Sequence, residues 1–152
     1  MNELDISAWT SSWMWGLPLI IVTALSHTIG LGLINHAVTR VMSGVGKSRA
    51  PQFLAALGMM SAAVFSVTLL HGVEALVWSE AFVLVGALPN TRLAMLYSLG
   101  AMTTYGHAPT YLAPHWQFMG ALEALNGMIL FGLTTAFLFT VIQQVWPHVT
   151  RA

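Results

Sequence analysis

Leu93-Ala94-Met95-Leu96-Tyr97-Ser98-Leu99-Gly100-Ala101-Met102-Thr103 is an apolar run that ends in Thr104-Tyr105-Gly106-His107. It is too short to cross a membrane, because a helical span needs about 20 apolar residues and a run of about 10–14 reads as a buried or re-entrant element. Longer apolar stretches lie on either side of it. Backbone that leaves a helix at membrane depth is tolerated only where it lines a cavity or is buried in protein. The chemistry of the chain is therefore expected at Thr104 to His107.

The composition supports a membrane setting. Of 152 residues, 57% are hydrophobic and 7% charged, and the mean hydropathy is +0.74, whereas about a quarter of the residues of a soluble domain are charged. One membrane domain over residues 1–152 is the expectation, with no room for a soluble catalytic domain. No enzymatic reaction and no nucleic-acid partner are implied. The chain has no cysteine, which removes disulfides, thiolate nucleophiles, iron–sulfur clusters and thiolate zinc sites together. Its start, Met1-Asn2-Glu3-Leu4-Asp5, is acidic where a secretory signal is basic, so the first span is expected to be retained.

Spans are expected at about residues 14–41, 51–78 and 116–146. Trp9, Trp13 and Trp15 precede the uncharged run Pro18–Thr39 of the first and Trp146 closes the third, as aromatic belts do at a membrane–water boundary. The loop between the first two contains Gly44-Val45-Gly46-Lys47-Ser48-Arg49, which lacks the spacing and the preceding strand of a phosphate-binding loop. Arg40, Lys47, Arg49 and Arg151 are four of the five basic residues and fall on one side. That side is expected to be cytoplasmic, with the N-terminus outside and the C-terminus inside. Between spans two and three, Glu80 to Leu88 reads as a short apolar helix, broken by Pro89-Asn90-Thr91, which can cap a second helix over Thr91–Thr103. The C-terminal end of that helix would present partial negative charge and open carbonyls, both favourable to a cation.

Several motifs occur here in one order: His71-Gly72-Val73-Glu74, Ala94-Met95-Leu96-Tyr97-Ser98, Thr103-Thr104, Pro114-His115-Trp116, Glu123-Ala124-Leu125-Asn126-Gly127 and Thr135-Ala136-Phe137-Leu138-Phe139. In this, residues 69–146 resemble small bacterial potassium-channel-like proteins of the two-pore-domain type. The resemblance implies an all-α membrane protein with three transmembrane helices, plus a re-entrant pore helix and filter loop over about residues 91–109, assembled as a potassium-channel-like tetramer. It also implies passive passage of a monovalent cation, potassium or similar. In such channels a Thr-Val-Gly-Tyr-Gly loop replaces the water around the ion with rings of carbonyl oxygens.

This chain departs from that loop, reading Thr104-Tyr105-Gly106-His107-Ala108, with Pro109 in place of the usual aspartate. A residue with a Cβ reaches glycine backbone angles only at a cost, so Ala108 weakens the outermost carbonyl ring. Pro109 removes a donor and a charge and restricts Ala108. Strict potassium selectivity is not expected. His107 titrates near neutral pH, and copies around an axis would repel one another when protonated, so external acid is expected to depress transport. The alternative is that His107 anchors the loop from behind by a hydrogen bond. The residues expected to form the ion filter are Thr103, Thr104, Tyr105, Gly106 and His107, supported by His71, Glu74, Ala108 and Pro109.

Gly132, Ala136, Thr140 and Gln144 recur every four residues on the last span, a stripe that suits either pore lining or close helix packing. Gly127 corresponds to the inner-helix hinge of the family, or simply permits close approach. Glu74 and Glu123 are the carboxylates inside spans and are functional candidates by default. Structural hydrogen bonding is the reading preferred for them. His27, His36 and His71 could hold haem or another metal, but none is paired at i, i+4, and satisfied contacts between helices are the preferred reading. No cofactor beyond the permeant cation is expected. The expected partners are identical copies, the lipid bilayer of a bacterial inner membrane and a second pore subunit in the case of a heteromer. A non-conducting accessory or scaffold subunit of the same fold is the alternative function, and a cytochrome-like electron carrier using the span histidines is a third.

Overall fold

The structure is a computed structural model and describes residues 3–45, 52–106 and 110–149. It consists of α1 (Glu3–Val45), α2 (Gln52–Leu84), α3 (Thr91–Met102) and α4 (Gln117–Val149), the last preceded by a 3-10 turn at Pro114–Trp116. There is no strand among the described residues. Three helical stretches are long and apolar enough to cross a membrane: Ile6–Gly44, Phe53–Leu84 and Pro114–Trp146. The protein is thus all-helical, with the composition of an integral membrane protein.

Helix boundaries follow local chemistry. The expected break at Trp78 does not occur, and α2 runs on through Glu80 to Leu84. No glycine or proline interrupts residues 73–84, so nothing stops the ladder until Gly86, whose φ of +71° no other residue type adopts cheaply. The separate short helix expected over Glu80–Leu88 is therefore the end of α2 and its turn. Asn90 caps α3 as expected: its Oδ1 accepts from the Leu93 amide at 3.0 Å, satisfying one of the open N-terminal donors.

Contacts divide the chain into two compact units, Met1–Ser26 with Gly72–Phe131 and His27–His71 with Gly132–Ala152. The first unit is built around α3. Trp78 and Phe82 of α2, Tyr97 and Ala101 of α3, Trp116 of the 3-10 turn, and Met119 and Leu122 at the start of α4 form its core. Phe82 and Tyr97 meet edge to face with centroids 5.3 Å apart, the geometry that the ring quadrupoles favour. In the second unit Val38, Met42, Ala56, Ala63, Val141 and Val145 bring α1, α2 and α4 together. The small residues Ala56 and Ala63 let those helices approach closely.

Candidate functional site

The end of α3 runs directly into the segment singled out by the sequence. Thr103 caps the helix with φ −91° and ψ 1°. Thr104 follows at φ +58° and Gly106 at φ +98°. Glycine reaches such angles freely, whereas a β-branched threonine is strained there. The backbone turns back on its own helix: Thr103 N donates to Leu99 O at 3.1 Å, Thr104 N to Ala101 O at 3.3 Å and Gly106 N to Gly100 O at 3.3 Å. The Thr103 hydroxyl also donates to Leu99 O, at 2.5 Å. Of the helix-end carbonyls expected to be open to a cation, those of Leu99, Gly100 and Ala101 are thus engaged by the loop. Thr103, Thr104, Tyr105 and Gly106 are themselves exposed, and Tyr105 is 88% exposed. His107, Ala108 and Pro109 lie outside the described residues.

Two glycines seat this loop. A Cβ on Gly100 would stand 2.5 Å from the Gly106 carbonyl oxygen, and one on Gly127 would stand 2.6 Å from Met102 Cα and 2.7 Å from Met102 O. Backbone on backbone leaves no flexible side chain to move aside. Of the two readings of Gly127, close approach is the one this geometry supports. Gly100 was not among the candidates of the sequence, although a glycine inside an apolar helix is the usual signal of such a contact. Beside the loop, Met102, Thr103, Thr104, Met128 and Phe131 line an open cleft of about 510 Å³.

Behind α3, Glu123 of α4 is fully buried. Ser98 of α3 is the polar side chain that faces it, and among the described residues neither carboxylate oxygen nor Ser98 Oγ makes a hydrogen bond of good geometry. One turn away, Asn126 donates from Nδ2 to Thr23 Oγ1 at 2.8 Å, and Thr23 donates to Leu19 O at 2.7 Å, joining α4 to α1. Burial, and after it the Glu123 carboxylate, push the Tyr97 phenol above its ordinary range, so it remains an O–H group.

Compared with protein-family models, curated proteins and solved structures, the chain matches none. Its function must be read from its own residues.

The four-residue stripe of α4 does not keep one face. Each step of four residues turns about 40° on an α-helix, so the row winds around it. Gly132, Ala136 and Thr140 are exposed. Gln144 has turned onto α1, where its Nε2 donates to Asn35 Oδ1 at 3.0 Å and its Oε1 accepts from Thr39 at 3.3 Å.

The second unit holds an arrangement that spacing alone did not reveal. His27 of α1 and His71 of α2 both direct Nε2 at the hydroxyl of Thr134 on α4, at 3.1 and 3.0 Å, with ring centroids 5.0 Å apart. His27 and Thr134 are buried and His71 is half-buried. His36 is exposed. Glu74 of α2 belongs to the first unit and is fully buried. No i, i+4 pair exists to announce the site, because its members come from three helices.

Proposed function

We propose that this chain is the pore-forming subunit of a cation channel of potassium-channel-like architecture, with a filter that has departed from the potassium pattern. The observation that carries the reading is α3 with its loop. A capped helix of 12 residues is about 18 Å long, too short for a hydrocarbon core of about 30 Å, and it stands between two helices that are long enough. Its C-terminus delivers Thr103 to Gly106 at an exposed edge, with two positive φ angles in four residues. In this reading α3 is the re-entrant pore helix and Thr104 to Gly106 supplies the carbonyls that take the place of an ion's water.

One chain cannot enclose a path. The loop and the cleft beside it are open on the surface of the chain, and apolar Met128 and Phe131 at 56% and 38% exposure suit a neighbouring subunit. A homotetramer about the loop follows, with the N-terminus outside, the C-terminus cytoplasmic and Gly132, Ala136 and Thr140 on the pore-facing helix. Glu74 and Glu123 act as buried supports. The cation crosses down its gradient and no covalent step is involved.

The test is flux in proteoliposomes loaded in turn with potassium, sodium and ammonium. A channel shows saturation-free cation flux that is lost when Thr104 is replaced by a bulky residue. Absence of flux for every ion, with the tetramer intact by native mass spectrometry, would leave the scaffold-subunit reading in its place.

A further inference from the structure

We infer that His27 and His71 form a divalent transition-metal site, zinc being the ion that fits best, which ties α1 to α2 at the level of Thr134. Both Nε2 atoms converge on one point, 3.1 and 3.0 Å from the Thr134 oxygen, and a ring nitrogen of one histidine lies within 4.8 Å of a ring nitrogen of the other. A hydroxyl has one hydrogen and can donate to only one of the two rings. The ring that receives it presents a bare Nε2 lone pair, the tautomer a metal ion requires. Transfer of the other ring's proton from Nε2 to Nδ1 changes its tautomer and gives a second neutral ligand.

The gap is one that Thr134 can vacate. A threonine hydroxyl inside a helix has an alternative acceptor in the carbonyl four residues back, here Leu130. Metal ligation would thus exchange two His–Thr hydrogen bonds for two metal–nitrogen bonds without leaving the hydroxyl unpaired. With two imidazoles and no cysteine anywhere in the chain, the donor set is nitrogen, completed by water, which suits zinc and excludes the thiolate sites of softer ions.

The inference is independent of whether the chain conducts. It is tested on the full chain in detergent with zinc chloride alone, by calorimetry and by zinc X-ray absorption. The expected result is one zinc per chain, with two imidazole nitrogens at about 2.0 Å in the absorption spectrum and a melting temperature that rises with zinc. His27→Gln and His71→Gln keep a group able to bond Thr134 and are expected to weaken zinc at least about tenfold. Thr134→Ala keeps both imidazoles and retains the ion. No saturable binding by the wild-type chain, equal binding by the two glutamine variants, or a zinc shell without imidazole would each overturn the assignment. The absorption spectrum needs only the wild-type protein, so the test does not depend on any variant folding.

Discussion

Thr104 is the residue at which the local cost is clearest. Its φ of +58° places a β-branched side chain in the left-handed region, which costs on the order of 1–2 kcal/mol for residues other than glycine. Strain of this kind persists only where the surroundings over-determine it. Thr104→Gly is expected to raise the melting temperature in detergent by relieving about 1 kcal/mol, while reducing cation flux through loss of the side-chain oxygen.

At the scale of the element, α3 is held by its ends. Asn90 fixes the start through the Leu93 amide, and Asn90→Ala is expected to cost about 1 kcal/mol, read as a lower denaturation midpoint. At the other end Gly127 presses on Met102 and Gly100 on Gly106. Gly127→Ala forces a methyl into backbone and should destabilise the chain by about 1–3 kcal/mol, with faster amide exchange over residues 100–106 because the loop loses its seat. A hinge that acted by flexibility alone would leave that exchange unchanged. The cap and the short length of α3 were legible from Pro89-Asn90 and from the composition of residues 93–103. The loop that fills its carbonyls was not, since such bonds depend on how residues 103–106 fold back, which no periodicity encodes.

For the whole molecule, the exposed apolar surface of the long helices is expected to be divided between lipid and subunit contacts. Among the described residues Leu25, Ile29 and Leu33 of α1 are each more than half exposed, as suits lipid. Native mass spectrometry from detergent is expected to return a tetramer, and Phe131→Glu, which places a charge beside the loop in the cleft of Met102, Thr103, Thr104 and Met128, should shift it toward monomer without changing helical content by circular dichroism. The run of α2 past Trp78 also belongs at this scale. Its continuation carries Phe82 into the core with Tyr97, so the end of the helix is set by what it packs on as well as by Gly86.

The residues alone determined that this is a helical membrane protein with three long apolar helices and one short one, because length, hydropathy and the scarcity of charge are properties of segments and survive without any partner. They also marked Thr103 to Gly106 as the segment where a helix must end. Tertiary structure decided what those properties cannot carry: that Gly127 and Gly100 are seats for backbone, that Gln144 faces Asn35 and Thr39, and that His27, His71 and Thr134 meet at one point. Each of these depends on the rotation and offset of one helix against another. A change of a few ångströms in that offset separates His27 from His71 while leaving every helix, and every hydrophobic run, as it was.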